Sequence, residues 1–464
     1  MTVPIQRDDL GFWVDSPDPL PCPPLRPGPG SRRARAQVAV VGAGFAGLST
    51  AYELVRRSPG LDVVVVESTV AGAGASGRNT GILRPGVGGT VLDLCRRFGE
   101  DTARELYAAS LTAVDFVRAI IAAEAIACDL EDVPHVKLAL TSRQAAHLRE
   151  EAQLLARLGF AADFSESPSL PVPNRGGLTY PGSAQLNPAL LVRGLKRAVL
   201  AHGVQIYEHT PVTAITPGRP VRLDLGGGAT LVADRVVLAT NAHTPGLGFL
   251  AGQVVPLQTH VGMTEPLTST QLAQLDWAGR CSFSDKRQVF DYYRLTRGNN
   301  LVFGGGRPVY QCAKGNRAAG ATDVADPRVW QAQRAQVART FPGLTGLTIA
   351  RQWAGTVGMT LDRFPVIGEL APGVIVAGGW SGHGVHLASA SGALIADLVL
   401  ERPNSHAQLP WIRSAAPRVP PDPMRAAGLR AYVRALQCAD RLESLLDRKP
   451  IRVQKESPCQ PVSH

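Results

Sequence analysis

Lysine is scarce in this sequence, and its few cysteines are scattered. Of the 48 basic residues in a chain of 464, six are lysine and 42 are arginine. The seven cysteines lie far apart and none forms a CxxC pair, which argues against a disulfide framework and against a structural metal site. Free thiols of this kind are typical of a protein in a reducing cytoplasm.

A long hydrophobic run near the N-terminus is also lacking. The apolar stretch Val38–Leu48 follows two arginines, but a bilayer span needs about 18–20 apolar residues. The sequence therefore predicts a cytoplasmic protein without a membrane span. With 45% hydrophobic and 19% charged residues, the chain can bury a large core, and its length predicts about two to four domains.

The charge balance is basic, with 38 acidic residues and a formal net charge of +10. Such an excess suits nucleic acid, an anionic membrane surface or acidic ligands. Between Arg413 and Lys455 ten basic residues face four acidic ones, so this tail supplies +6 of the total. We therefore expect a solvated basic helix over Met424–Arg448 that packs on the protein, and no nucleic-acid partner.

One glycine motif carries the strongest signal. The β-branched run Val38–Val41 leads directly into Gly42–Gly47, a GxGxxG pattern, and then into a helical stretch from Leu48. A second strand, Asp62–Val66, ends at Glu67, 20 residues beyond the last glycine. Strand, glycine turn, helix, strand and acid in this order predict a dinucleotide site, with the pyrophosphate at the helix start and Glu67 on a ribose hydroxyl.

The remaining glycine clusters do not predict a second dinucleotide site. Gly72–Gly77 also fits GxGxxG, but no amphipathic helix follows it, so we interpret it as a loop that passes close to a long cofactor. If the ligand is FAD, a single site indicates that the electrons come from the substrate. Near the C-terminus, the strand Val374–Ala377 leads into Gly378–Gly384 and a helix over Leu387–Leu400, which again points backbone N–H groups at an electron-rich partner.

Seven ordered motifs give the chain a family resemblance. It resembles the FAD-dependent amine and amino-acid oxidoreductases of the D-amino-acid oxidase, glycine oxidase and sarcosine oxidase superfamily, and its pattern is most similar to γ-glutamylputrescine oxidase-like proteins. Besides the first glycine motif, the matching segments are Gly74–Gly81, Ala239–Ala242, Tyr292–Arg294, Trp353–Gly355, Asp362–Gly368 and Gly378–Val385.

The resemblance implies an α/β fold of two domains: a Rossmann-like FAD-binding domain, and a substrate domain built on an antiparallel β-sheet. The FAD-binding domain would comprise residues 36–95, 180–248 and 350–403, and the substrate domain residues 96–179 and 249–349. An N-terminal extension, 1–35, and a Pro-rich segment with a helical tail, 404–464, would complete the chain.

The resemblance also implies which residues bind FAD. They would be drawn from the three glycine-rich segments, the acid after the second strand and one short strand near the adenine: Gly42, Gly44, Phe45, Ala46, Gly47, Glu67, Ser76, Gly77, Arg78, Asn79, Thr80, Val212, Gly379, Gly382, His383, Gly384 and Val385.

The implied reaction is oxidation of a C–N bond. Hydride would pass from the carbon beside a neutral amine to flavin N5, and the resulting imine would hydrolyse. Arg84 would bind a substrate carboxylate, and His386 would occupy the place of a carboxylate-binding lysine. The other candidates for the substrate site are Tyr292, Trp380 and His383, with Arg294 a further possibility on the face of Tyr292 and His260 more typical of a structural histidine.

Two departures from the family pattern concern the flavin. No cysteine lies in Gln352–Met359 and no histidine in Gly72–Gly81, where relatives attach the flavin covalently, so we expect non-covalent FAD. No lysine lies around Leu301–Phe303, where the oxidases place the one that helps to activate oxygen. O2, a quinone or an electron-transfer partner therefore remain open as the acceptor of the electrons.

Other functions remain open at this point. The enzyme could tailor a larger or carrier-bound natural-product amine, and the insert Gln311–Thr322 and the long tail could serve such a partner. An RNA-modifying flavoprotein would suit the basic charge, although no RNA-binding module is present in the sequence. A non-catalytic flavin-binding scaffold is the remaining alternative.

Overall fold

The computed structural model describes residues 13–447, apart from 15, 27–32, 276, 311–325, 345 and 404–407. Most of the predicted N-terminal extension, the insert 311–322 and the chain beyond 447 lie outside the described residues.

Eighteen strands are found in the described ranges. They are β1 (Arg33–Val41), β2 (Val63–Val66), β3 (Ile82–Leu83), β4 (His135–Leu138), β5 (Asp163–Ser165), β6 (Gly177–Tyr180), β7 (Ala184–Gln185), β8 (Gln205–Tyr207), β9 (Val212–Thr216), β10 (Val221–Leu225), β11 (Thr230–Leu238), β12 (Val255–Pro266), β13 (Ser282–Asp285), β14 (Asp291–Leu295), β15 (Asn300–Gly305), β16 (Ile349–Met359), β17 (Val366–Ala371) and β18 (Val374–Gly378).

The same ranges contain ten α-helices and three short 3₁₀ turns. The helices are α1 (Phe45–Arg57), α2 (Ala75–Arg78), α3 (Val91–Phe98), α4 (Glu100–Ala123), α5 (Ser142–Arg157), α6 (Pro188–Ala201), α7 (Ser269–Leu275), α8 (Pro327–Thr340), α9 (Gly384–Val399) and α10 (Met424–Leu446); the turns are Gly226–Gly228, Asn241–Leu247 and Ala278–Arg280.

The first sheet is centred on a parallel layer, in the order β17-β18-β11-β1-β2-β8. In its middle, Val40 of β1 lies opposite Val237 of β11 and Val65 of β2, and all three side chains are fully buried. Helices cover this layer, with α1 and α9 packed against each other. The predicted strand–turn–helix at the C-terminal end is confirmed, but α9 starts at Gly384, three residues before the expected start at Leu387.

The second sheet has the order β16-β12-β15-β14-β13-β4-β6-β5 and is mostly antiparallel. One face is apolar: Phe283 and Tyr293 pack with Phe341, which follows α8. The fold class expected from the sequence is confirmed. One boundary differs, because β16 pairs with β12 along almost its whole length, so 350–359 belongs to this second sheet and not to the nucleotide-binding layer.

The N-terminal segment lies against both layers. The indole of Trp13 packs edge-on against Trp353 of β16, with ring centroids 5.7 Å apart, and its Nε1–H donates to the carbonyl oxygen of Asn79 at 3.1 Å. Further on, Asp18 pairs with the buried ammonium of Lys196, which also binds Glu208. The N-terminal segment therefore contacts the rest of the protein through Trp13 and through Asp18.

The basic helix α10 is present as predicted and docks through its acidic side chains. Asp440 accepts hydrogen bonds from the backbone N–H groups of Gln288 and Val289, and the nearby Asp447, just past the helix, pairs with Arg175 at 2.7 Å. The acids thus face the second sheet and its loops.

One described helix, Glu100–Ala123 (α4), is long and apolar enough to cross a membrane by length and composition. It packs against α9 and α3, and Leu106, Val114 and Val117 are fully buried. Packing against other helices of the protein and buried apolar side chains are typical of a core helix, which passes the same test of length and composition.

Candidate active site

The first glycine turn leaves no room for side chains. Gly42 has φ +103°, and a Cβ on Gly47 would lie 1.8 Å from the carbonyl oxygen of Gly42. A Cβ on Gly44 would lie 2.8 Å from Ser76 Oγ, an atom that accepts a hydrogen bond from the N–H of Phe45 at 2.9 Å. Side-chain-free backbone at the start of α1 lets a pyrophosphate approach the helix N-terminus closely.

Glu67 lies beside this turn, at the carboxyl end of β2. One carboxylate oxygen accepts from the N–H of Ala43 at 2.9 Å, and the other accepts from the N–H of Thr69 at 3.0 Å. The side chain is therefore held next to the glycine loop, where an ionised carboxylate can accept a ribose hydroxyl. Val212, predicted to lie near the adenine, begins β9 two residues after Thr210, whose N–H donates to the carbonyl oxygen of Glu67.

The second loop is braced from within. Asn79 donates from Nδ2 to the carbonyl oxygens of Ala75 and Ser76, and its Oδ1 accepts from the N–H of Gly81. Gly77, in the short helix α2, is buried and donates its N–H to the carbonyl oxygen of Gly72. These bonds hold the loop in one shape.

Buried Arg78 joins this loop to the second sheet. Its guanidinium donates to the carbonyl oxygens of Ala73 at 2.6 Å and Ala354 at 3.1 Å, and its own carbonyl accepts from Trp353 Nε1–H at 2.8 Å. Because the guanidinium is directed to protein carbonyls, we expect any contribution of Arg78 to cofactor binding to come from its backbone. Thr80 likewise presents its carbonyl to Arg294.

The third glycine loop joins β18 to α9. Gly379 has φ +76° and Gly382 φ +86°, values that favour glycine. Oδ1 of Asn241 accepts from the N–H of Gly379 at 3.0 Å, and so anchors the loop to the turn after β11. Helix α9 then starts at Gly384 with Val385 in its first turn, and His383 at its N-cap makes no side-chain cap.

The residues fit FAD. The glycine loop after β1, the acid after β2 and the loop after β18 all lie at carboxyl ends of strands in one sheet, in which β11 separates β1 from β18. Ligands of open α/β sheets bind at such ends. Ala46, predicted to touch the cofactor, is buried in the first turn of α1 beside the loop.

Arg84, just past β3, is the centre of a cluster of polar side chains that we name the candidate substrate chamber: Arg84, His135, Lys137, Tyr180, His383 and His386. Its guanidinium carbon lies 5.1 Å from the centre of the Tyr180 ring on β6, and the hydroxyl of Tyr180 donates to Glu151 of α5 at 3.2 Å. Burial and next the charge of Arg84 lower the pKa values of His135, Lys137 and His383. No carboxylate of the described chain lies within ion-pair distance of Arg84.

The two histidines at the start of α9 are neutral near pH 7. Burial, and next Arg84 and His386, hold the pKa of His383 well below its usual range. Burial, opposed by a hydrogen bond to Gly86, lowers the pKa of His386 to about 4. His386 donates from Nε2 to the carbonyl oxygen of Gly86 at 3.1 Å. The place of His386 at the position of a carboxylate-binding lysine stays a prediction, and the low pKa favours an uncharged ring there.

The other predicted substrate residues have different environments. Tyr292 stands over Gly304 on the opposite face of the sheet from Tyr293, and burial raises its pKa above the usual value. Trp380 is 5% exposed and belongs to the main core, so the expected wall of the substrate pocket is not supported at this position.

Arg294 and His260 have structural partners. Arg294 donates to the carbonyl oxygens of Thr80 and Leu186 and lies over the Trp13 ring, so its suggested substrate role is not supported. His260 is fully buried and its Nε2 accepts from the N–H of Asp326, as expected of a structural histidine.

Three polar residues of the chamber were not expected from the sequence: His135 and Lys137 on β4, and Tyr180 on β6. Nδ1 and Nε2 of His135 lie 2.8 Å and 3.0 Å from the hydroxyls of Ser282 and Ser284 on β13. The sequence signal for His135 and Lys137 is the alternation of side chains along β4. Val136 and Leu138 pack in the apolar core, so His135 and Lys137 lie on the other face of the strand.

Comparisons with known proteins agree with this geometry. Residues 37–398 match the family described as FAD dependent oxidoreductase. The γ-glutamylputrescine oxidoreductase of Escherichia coli K12 is 32% identical over 409 residues, 85% of this chain and 91% of that protein. The probable oxidoreductase OrdL of Rhizobium meliloti 1021 is 31% identical over 395 residues, 80% and 84% respectively. A crystal structure of glycine oxidase from Geobacillus kaustophilus is similar with a TM-score of 0.65 at 22% identity, covering 82% of this chain and 99% of that one.

Proposed function

The chain belongs to the family of FAD-dependent oxidoreductases, and we propose that it oxidises the C–N bond of a carboxylate-bearing amine. The observation that carries this proposal is Arg84, a cation without an ion-pair partner in the described ranges, in a chamber of neutral histidines next to the cofactor loops. The similarity to γ-glutamylputrescine oxidoreductase supports an amine as the substrate.

Bound FAD supplies the two-electron acceptor for the hydride that leaves the carbon beside the amine, and the imine product then hydrolyses in water. The first and second glycine loops and Glu67 would hold the nucleotide, and the third loop with the start of α9 would meet the flavin ring. No cysteine lies in β16, which supports a non-covalent cofactor.

Arg84 would bind and orient the substrate. A guanidinium presents a planar fork that matches a carboxylate, and the Tyr180 ring beneath it limits the positions that the fork can adopt. A carboxylate held there would fix one end of the substrate, and so contribute to the orientation that the reaction requires.

The chamber would also keep the substrate amine deprotonated. Burial disfavours the charged form of an amine, so the chamber would lower the pKa of a bound ammonium just as burial lowers the pKa values of His383 and His386. The neutral amine has the lone pair that stabilises the developing imine. A strong protein base is therefore not needed in this mechanism.

The proposal is tested by anaerobic mixing of the yellow holoenzyme with amines, amino acids and hydroxy acids of the same carbon skeletons. We expect at least one carboxylate-bearing amine to bleach the flavin and its hydroxy analogue to leave it oxidised. Bleaching by the hydroxy acids alone would contradict the proposal, as would no bleaching by any amine. Precipitation with acid should release the flavin into solution, as expected of a non-covalent cofactor.

A further inference from the structure

We propose that Lys137 is a specificity residue of the same chamber. Its ammonium group binds a substrate carboxylate together with Arg84. This inference rests on the proposed function and deepens it, since it selects amines with a carboxylate over amines that carry only a neutral group. The argument depends on the position of Lys137 in β4, on the charges that surround it and on the partners that those charges already have.

The strand pairing places Lys137 in the chamber. His135 lies opposite Tyr180 on the neighbouring strand β6, and Tyr180 is the residue that supports Arg84. Lys137 is two residues further along β4, about 7 Å away, and on the same face as His135. Its neighbours in the pairing are Leu178 of β6 and Ser284 of β13. After burial, the charge of Arg84 is the largest influence on the pKa of Lys137, which agrees with this placement of the two side chains.

Of the two acids near Lys137, Asp285 already has a cationic partner, and Glu151 makes no ion pair with Lys137. The charged and titratable groups that face it are Arg84, Glu151 of α5, Lys286 and Asp285 at the end of β13, and His135 on its own strand. Asp285 binds Arg287 through both carboxylate oxygens. Glu151 accepts from the neutral hydroxyl of Tyr180 through Oε1, and its Oε2 is buried without a hydrogen-bond partner.

No acid neutralises the two cations in the described part of the chain. No carboxylate there lies within 4.0 Å of the Lys137 ammonium or of the Arg84 guanidinium. His135 adds no charge, because burial keeps its pKa well below the usual range. Neither Arg84 nor Lys137 forms an ion pair with a carboxylate of the described chain. Both cations are therefore available to an anion that enters the chamber.

The ionisation of Lys137 gives this role a signature. Burial and next the charge of Arg84 lower its pKa to about 8. The ammonium is thus charged at pH 7 and loses its proton as the pH rises through about 8. Its contribution to anion binding should be present below that pH and disappear above it.

The test measures binding of benzoate, and of its neutral isostere benzamide, to the holoenzyme through the flavin difference spectrum. Lys137→Met removes the charge, Lys137→Arg keeps it, and Arg143→Met removes one exposed charge from the neighbouring helix α5 as the matched control. We expect Lys137→Met to weaken benzoate binding by about tenfold or more at pH 7, which is the loss of one charge-assisted hydrogen bond. Lys137→Arg should retain most of the affinity, and benzamide binding should not change.

The pH profile separates binding by Lys137 from a structural effect. Wild-type affinity for benzoate should fall as the pH rises through about 8, and Lys137→Met should lack this fall. Equal benzoate affinity in the wild type and Lys137→Met would overturn the inference, as would no benzoate response in the wild type. If benzoate binding depends on Lys137 but no amine reduces the holoenzyme, the proposed function alone is overturned. If amines reduce the holoenzyme but benzoate binding does not depend on Lys137, this inference alone is overturned.

Discussion

Replacement of Arg84 by methionine is the most informative single change in the substrate chamber. The unbranched apolar side chain fills much of the same space and removes the charge. The described chain places no ion-pair partner next to Arg84, so no protein carboxylate is left unpaired by the change. We therefore expect the fold and the FAD content to be retained and substrate binding to be weakened.

The expected magnitude follows from the contact that is lost. A hydrogen bond to a charged group contributes about 1.5–3 kcal/mol, and about 1.4 kcal/mol corresponds to a tenfold change in affinity. Arg84→Met should therefore raise the dissociation constant of a carboxylate-bearing amine by about 10- to 150-fold. Arg84→Lys keeps the charge but loses the planar fork over Tyr180, so its effect should be intermediate.

Anaerobic stopped-flow reduction separates binding from chemistry. The dependence of the bleaching rate on substrate concentration gives the dissociation constant, and its limit gives the rate of the chemical step. The loss should be found mainly in the first quantity for Arg84→Met, with the control substrate, the same amine without its carboxylate, unaffected. An unchanged dissociation constant for the carboxylate-bearing amine would refute the assignment of Arg84.

Three further predictions concern the cofactor loop, the N-terminal segment and the buried histidines. Gly47→Ala should abolish FAD binding, measured by flavin absorbance of the purified protein, because its Cβ would lie 1.8 Å from a carbonyl oxygen; Gly428→Ala, in α10 with open space around it, should leave the absorbance unchanged. Lys196→Met should lower the free energy of unfolding by about 3–5 kcal/mol in denaturant titration, since it leaves the buried carboxylate of Glu208 without its cation; a loss below about 1 kcal/mol would contradict this. His260 and His386 have pKa values lowered by burial to about 4, so the unfolded chain takes up protons first and the melting temperature should fall as the pH drops from about 6.5 towards 4; His386→Gln should reduce this fall, and an unchanged slope would argue against a buried neutral ring.

The parts that could be predicted from the sequence are those set by local backbone chemistry. The β-branched run, the glycines and Glu67 lie within 30 residues of one another. What the fold requires at the glycine positions is a property of glycine itself, namely a positive φ at Gly42 and a missing Cβ at Gly47. The helix starts at Asn187 and Asp326 were predictable for the same reason, because their side chains cap the first turn.

The substrate chamber could not be predicted in this way, because strands far apart in the sequence build it. His135 meets Ser282 and Ser284 only after β4 pairs with β13, and no local pattern specifies that pairing. The low pKa of His386 could not be predicted for a related reason: burial lowers it, and so does Arg84, some 300 residues away in the chain. Arg294 was likewise expected to be available, but its donors bind the loops around Thr80 and Leu186.

The central claim is that the bond broken is the C–H bond beside a neutral amine. It is tested most directly by single-turnover anaerobic bleaching of the holoenzyme with an amine substrate and with the same substrate deuterated at that carbon. We predict a slower limiting rate for the deuterated substrate, because the bond to hydrogen breaks in the step that bleaches the flavin. Equal limiting rates for the two substrates would contradict the account.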